Sequence, residues 1–284
     1  MTDDLWRLDA TELARLIRLG RVFSREATES CLSRLHAVNP AINAVVRVLE
    51  KEALAAADAA DAAQARGDAL GPLHGVPVTV KANTDQAGCP TDNGVVAFRD
   101  AIATEDSPVV ANLKRAGAII IGRTNTPAFS MRIFADNALH GRTLNPRDPS
   151  ISAGGSSGGA GAAIATGIGP IAHGNDIGGS VRIPALFNGV VGLRVSLGRI
   201  PSYNPSQRVR AADWGTVHGD CRNMRRMSAP CGRAVVISTR MVKVDDERNH
   251  GPPTRSRTKS RGVRVGRSRG ETLSVHGLKA GDIP

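Results

Sequence analysis

The sequence predicts an α/β fold in which helices cover both faces of a β-sheet. The first observation is a strand–helix–strand order, with a valine-rich segment at 73–80, a helical segment at 106–117 and an apolar run at 118–121. The second is a pair of glycine–serine clusters, at 154–159 and 178–180, in an alanine-rich stretch. Apolar residues with helix and strand signals flank both clusters, which favours ordered loops over the alternative of a flexible linker.

Helices are predicted for the first part of the chain. Asp9, with Glu12 three residues later, resembles a capping box at the start of a short helix. A second helix begins at Ser24 and ends near Pro40, and the alanine-rich run 50–65 forms a third. We expect these helices to wrap the sheet and assign no chemistry to them.

Lys81 directly follows the predicted strand at 73–80. The carboxyl ends of strands are where α/β sheets usually bind ligands. The strand is apolar, so burial of this lysine is expected, although a lone lysine at a strand end is more often a surface residue.

Two helix–strand pairs follow. One helix begins at Ser107, with a proline in its first turn, and leads to the strand at 118–121. The next helix, at 157–166, comes directly after the first glycine–serine cluster, and a strand at 167–172 leads to the second cluster. A serine hydroxyl set among glycines is a candidate nucleophile, because neighbouring backbone N–H groups can stabilise an oxyanion.

Four motifs occur in a fixed order along the chain. They are GVPVTVK at 75–81, GGSSGG at 154–159, DIGGSVRIPA at 176–185 and GLR at 192–194. Together they resemble the amidase signature family, whose members hydrolyse amides through a Ser–cis-Ser–Lys triad. The resemblance covers roughly residues 5–206 and implies a mixed β-sheet between helices, here incomplete at the C-terminus.

The resemblance also implies roles for individual residues. Ser180 would be acylated, Ser156 would be the bridging serine with a cis peptide bond, and Lys81 would be the base, which requires a lowered pKa. The remaining candidates are oxyanion donors in the backbone and residues of the substrate pocket, which are Ile177, Gly178, Gly179, Thr124 and Asn125. The triad needs no cofactor and no metal, and the four cysteines show no metal-ligand spacing.

Two residues depart from the family pattern near this site. Asn175 stands where the family usually has Ser or Thr, and it can still form hydrogen bonds. Ala128 stands where the family often has Glu, so a supporting carboxylate is missing. Neither departure removes a member of the triad.

Charge is distributed unevenly along the chain. The formal net charge is +11, and residues 207–284 contain 17 of the 37 Lys and Arg residues but only 7 of the 26 Asp and Glu residues. We therefore predict an N-terminal part of an amidase signature domain at 1–206 and a basic low-complexity tail at 207–284. Loss of the reading frame near Ser206 is the favoured explanation of the tail, and a disordered basic arm is the alternative.

The same observations limit the function classes. We expect an amidase that takes a small-molecule amide in the cytoplasm, since no secretion signal and no membrane-spanning apolar run is present. The sequence leaves open whether the protein forms a homodimer. If the chain is a truncated remnant, we expect little or no hydrolysis from it.

Two other functions compete with this interpretation. The first is nucleic-acid binding, which is not expected of residues 1–206 and would have to occur through the basic tail. Residues 154–158 also fit GxSxG, the nucleophile elbow of α/β-hydrolases with Ser156 as nucleophile, although that motif needs a strand directly before it.

Overall fold

The computed structural model describes residues 4–195, 200 and 203–206, together with the backbone of 234–238. Over these residues the helices are α1 (Ala10–Arg18), α2 (Ser24–Ile42), α3 (Glu50–Ala65), α4 (Pro108–Arg115), α5 (Gly158–Thr166) and α6 (Arg182–Asn188). The strands are β1 (Val45–Val48), β2 (Pro77–Lys81), β3 (Ile119–Thr124), β4 (Ile171–Asn175), β5 (Val191–Gly192) and β6 (Ala234–Ser238). None of the described helices is long and apolar enough to cross a membrane.

The six strands form one mixed sheet in the order β1-β3-β2-β4-β6-β5. Strand β2 lies at its centre and runs parallel to both β3 and β4. Strand β1 pairs with β3 in the antiparallel direction, and β6 pairs antiparallel with both β4 and β5. The parallel centre brings the carboxyl ends of β2, β3 and β4 to one edge of the sheet.

Helices pack on both faces of this sheet, which confirms the predicted fold class. Side chains alternate between faces along a strand, so Ile120 and its neighbours Ile119 and Ile121 belong to two different clusters. One cluster joins β2 and β3 to α1 and α4 through Val78, Val80, Ile120, Ala10, Ala14, Val110 and Leu113. The other joins β3 to α2, α3 and α5 through Ile119, Ile121, Leu32, Leu35, Ala53, Ala162 and Ala163.

The local helix signals hold in the structure. The Asp9 side chain accepts a hydrogen bond from the Glu12 backbone N–H and caps α1. Helix α3 has the predicted bounds. Helix α2 continues past Pro40 to Ile42, and the next residue, Asn43, caps it with a φ of 51°.

Strand positions agree less closely with the predictions. Strand β2 begins at Pro77 rather than at residue 73, and β4 begins at Ile171 rather than at 167. The short elements β1, α6 and β5 were not predicted. Strand β6 lies in the region predicted as a tail, and the rest of 207–284 lies outside the described residues.

Candidate active site

Lys81 is the last residue of β2, at the sheet edge formed by the parallel strands. Its side chain is fully buried. The Lys81 Nζ donates hydrogen bonds to Ser156 Oγ at 2.6 Å and to Asn175 Oδ1 at 2.8 Å. The structure therefore brings together two of the three predicted triad members, which lie 75 residues apart in the chain.

Burial determines the charge state of Lys81. It lowers the pKa of Lys81 from 10.5 to about 7, and the negative charge of Asp176 opposes this shift only partly. A large fraction of this amine is therefore uncharged at neutral pH, which is the form that can accept a proton.

Ser156 lies in a tightly packed loop. The peptide bond between Gly155 and Ser156 is cis, as the resemblance implies. A Cβ at Gly155 would overlap the backbone of residues 132–134, so only glycine permits this close approach. Ser156 itself is buried, and α5 begins two residues later at Gly158.

Asp176 organises the second glycine–serine cluster. Its buried carboxylate accepts hydrogen bonds from the backbone N–H groups of Gly179, Val181 and Arg182 and from the Arg182 guanidinium. Burial alone would raise the pKa of Asp176, but these donors outweigh that effect and hold it well below its usual range. The carboxylate therefore remains charged and fixes the loop that carries Ser180.

Ser180 is half-buried and lies beside the first cluster. Its backbone carbonyl accepts a hydrogen bond of 3.0 Å from the Ser157 N–H, so the two clusters are in direct contact. Among the described residues, the Ser180 hydroxyl has no hydrogen-bond partner. The structure thus joins Ser180 to Ser157, the residue that follows Ser156, and no hydrogen bond links the Ser180 and Ser156 hydroxyls.

The predicted oxyanion donors divide into two groups. Ile177 and Gly178 are exposed, and a Cβ at Gly178 would meet nothing within 4 Å. The Gly179 N–H already donates to Asp176 Oδ1 at 2.7 Å. This N–H is already used by a buried carboxylate, so a role for Gly179 as an oxyanion donor stays a prediction that requires the bond to Asp176 to break.

Thr124 and Asn125, predicted to line the substrate pocket, are both fully buried. The Asn125 Nδ2 donates to Gly141 O and Thr143 Oγ1, and its Oδ1 accepts from the Thr126 N–H and from Asn137 Nδ2. These contacts use the hydrogen-bonding capacity of the side-chain amide and join loops, and a place for Asn125 in the substrate pocket stays a prediction. Thr124 pairs with Lys81 across β2 and β3, and its Oγ1 has no partner among the described residues.

Asn83 belongs to the site and was missed in the sequence. It donates through Nδ2 to Asn175 Oδ1 and accepts from Asn175 Nδ2. The pair thus holds the amide oxygen that faces Lys81 Nζ. The one sequence feature that could have indicated Asn83 is its position two residues after the end of β2.

His173 lies on β4, paired with Val80 of β2. Burial lowers the pKa of His173 to about 3, and the positive charges of Lys81 and Arg123 contribute. The ring is therefore neutral, and neither ring nitrogen has a partner among the described residues. The described residues also contain no group of three His, Cys, Asp or Glu that could hold a metal ion.

The competing nucleophile elbow lacks its structural context. No strand directly precedes Gly154, since residues 146–151 form turns and only an isolated bridge joins Leu144 to Ser152. The elbow requires a strand immediately before the serine loop. The alternative of nucleic-acid binding depends on the basic tail, which lies outside the described residues apart from β6.

This chain is similar to known amide hydrolases. The family model described as Amidase matches residues 26–220, which runs past the predicted boundary at 206. An indoleacetamide hydrolase of Bradyrhizobium diazoefficiens is 58% identical over 202 residues, or 71% of this chain and 38% of the relative. An acylamidase of Rhodococcus erythropolis is 45% identical over 194 residues, or 68% of this chain and 41% of the relative.

Solved structures of amide hydrolases also resemble this chain. A bacterial aryl acylamidase of the amidase signature family superposes with a TM-score of 0.70 at 30% identity, over 82% of this chain and 45% of that one. A fatty acid amide hydrolase superposes with a TM-score of 0.72 at 29% identity, over 84% and 39%. The chain spans about two fifths of the length of the curated relatives named above.

Proposed function

The chain belongs to the amidase signature family, and from this premise we propose that it hydrolyses carboxylic amides through an acyl-enzyme formed on Ser180. The observation that carries the proposal is the buried contact of 2.6 Å between Lys81 Nζ and Ser156 Oγ. A lysine whose pKa lies near 7 can serve as a general base at neutral pH.

In the proposed reaction a proton moves from Ser180 through Ser156 to Lys81. Neutral Lys81 accepts the Ser156 hydroxyl proton, and Ser156 takes the proton of Ser180 as the Ser180 Oγ bonds to the amide carbon. The tetrahedral adduct then breaks its C–N bond, and the proton returns along the same path to the departing nitrogen. Water attacks the resulting ester by the same proton route, which releases the acid and restores Ser180.

Backbone amides of the second cluster would stabilise the oxyanion. We assign this role to the N–H groups of Gly178 and Ser180, which have no acceptor among the described residues, and not to Gly179. Removing one donor of this kind typically raises a barrier by about 3 kcal/mol. The exposure of Gly178 leaves room for a carbonyl oxygen to approach.

The substrate class follows from the relatives. Because one relative is named for indoleacetamide and is 58% identical over the matched region, we propose a primary amide of an arylacetic acid as the substrate. The chain spans only part of that relative's length, so we also propose, rather than infer from the relative, that this chain completes the catalytic cycle.

Active-site labelling tests the proposal at its acylation step. A fluorophosphonate probe is incubated with the full chain, and the modified residue is mapped by mass spectrometry. We expect the adduct on Ser180, its loss in Ser180→Ala and slow labelling in Ser156→Ala. The exposed Ser150→Ala is the matched control and should label like the parent chain.

An adduct on Ser156 that survives Ser180→Ala would overturn the assignment. Ammonia release from indoleacetamide by the same samples tests turnover and substrate class separately from acylation.

A further inference from the structure

A cavity of about 160 Å³ lies between β1, the end of β3 and the loops at 90–99 and 139–140. Its polar lining consists of Arg47, Arg99, Arg123, Asp92 and His140, and the rest is apolar. The volume is well above the roughly 10–15 Å³ that one water molecule requires, so a small ion fits. No member of the proposed triad lines it.

Arg123 is the unusual residue of this cavity. Its side chain is almost completely buried, at 1% exposure, and arginine is rarely buried without an acidic partner. The Arg123 guanidinium donates only to neutral acceptors, Gln86 Oε1 and the Thr84 carbonyl, and its Nε has no partner among the described residues. The charges of Asp92 and Asp85 stabilise this buried cation, but neither carboxylate accepts a hydrogen bond from it, so its Nε is an unused buried donor.

The two other arginines add positive charge without compensation. Arg47 and Arg99 are exposed and form no ion pair within the described part of the chain. The one acid in the lining, Asp92, accepts from the Gly94 N–H, and its Oδ1 lies 3.1 Å from His140 Nε2. The lining therefore carries three guanidinium groups against one carboxylate.

From this arrangement we propose that the cavity binds a small, doubly charged tetrahedral oxyanion of the phosphate class. Arg47 and Arg99 supply two positive charges that no described carboxylate pairs with, which matches a dianion, and guanidinium groups bind such oxygens in pairs. The Arg123 Nε would supply a buried donor, while Arg47 and Arg99 close the site from the solvent side. Burial lowers the pKa of Arg123 only to about 10, so it is charged at neutral pH.

Calorimetric titration of the full chain with sodium phosphate, against sodium chloride at equal ionic strength, tests the proposal. We expect saturable binding of one phosphate per chain, similar binding of sulfate and weaker binding of acetate. The double variant Arg47→Gln/Arg99→Gln should raise the dissociation constant about tenfold or more. These residues are exposed, so the variant avoids the risk that Arg123→Gln would not fold.

The matched control is Arg18→Gln/Arg21→Gln, which removes the same charge from exposed positions outside the cavity. It should bind phosphate like the parent chain. Absence of saturable binding, or equal weakening in the two double variants, would overturn the proposal. Fluorophosphonate labelling of Ser180 should be unchanged in both, so failure here is distinguishable from failure of the proposed amidase function.

Discussion

The surroundings of Lys81 and Ser180 differ sharply although the two residues are proposed to act in one proton path. Lys81 is fully buried at the end of a central strand, and hydrogen bonds join it to Ser156 and Asn175. Ser180 is half-buried in a loop whose preceding residues, Ile177 and Gly178, are exposed. Lys81 is thus held by the core of the fold, while the Ser180 loop is held by hydrogen bonds to Asp176 and to the Ser157 N–H.

The two parts of the site therefore depend on different interactions. Lys81 pays a desolvation cost that sets its pKa, and the rigid strands make this possible. The Ser180 loop depends on Asp176, whose carboxylate binds three backbone N–H groups and one guanidinium. Changes at Lys81 should alter chemistry, whereas changes at Asp176 should alter geometry and stability.

The largest effect is expected for Lys81→Met, which removes the base while retaining an apolar side chain of similar length. Fluorophosphonate labelling of Ser180 should slow by about 10³-fold or more, since loss of one triad member typically has effects of this size. Lys51→Met, at an exposed position on α3, is the control and should label normally. Labelling of the Lys81 variant at the parent rate would show that another group is the base.

The pH dependence of labelling should follow the uncharged fraction of Lys81. With a pKa of about 7, that fraction falls about 50-fold from pH 7 to pH 5 and less than doubles above pH 7. Labelling rates at pH 5–9 should therefore rise and then level off, after correction for probe decomposition. A flat profile would contradict the assignment.

The same lysine should affect folding stability. Because its folded pKa lies below its ordinary value of 10.5, the unfolded chain binds more protons between about pH 7 and 10.5, and stability rises with pH across this window. Urea unfolding should show that this rise is smaller in Lys81→Met. An unchanged slope would mean that burial does not lower this pKa.

Asp176→Asn is expected to lower the stability of the fold rather than to remove a reacting group. Loss of the carboxylate weakens charged hydrogen bonds, so the free energy of unfolding should fall by about 2–3 kcal/mol at pH 7. Since the folded pKa of Asp176 is lowered, this contribution is present at neutral pH and is lost as pH falls below about 4. The exposed loop residue Asp148 provides the control, and Asp148→Asn should be within about 0.5 kcal/mol of the parent.

The smallest effect is expected for Asn175→Ala. It removes one of two partners of Lys81 Nζ and the hydrogen bonds to Asn83, but it leaves the contact with Ser156 in place. Labelling should slow by about tenfold, and Asn112→Ala on the exposed side of α4 should have no effect. A loss as large as that in Lys81→Met would make Asn175 an equal partner of the base.

Local patterns in the sequence were enough to predict several helices and the candidate site residues. Helices α1 and α3 follow from a capping residue and an alanine-rich run, because their signals lie within a few residues of the elements they define. The family motifs predicted Lys81, Ser156 and Ser180 as a set, and the structure joins Lys81 to Ser156. Strand ends were less accurate, since pairing with β3 and β4 decides where β2 begins.

Only the tertiary structure decided which polar groups meet and which are already used. Asn125 looked available in the sequence, yet contacts with the segments around Asn137, Gly141 and Thr143 occupy its amide. Gly179 is hydrogen-bonded to Asp176, and the Nε of buried Arg123 has no hydrogen-bond partner among the described residues. Helix signals act over a few residues, whereas burial and hydrogen-bond partners depend on segments far apart in the chain, so these features arise only when the sheet assembles.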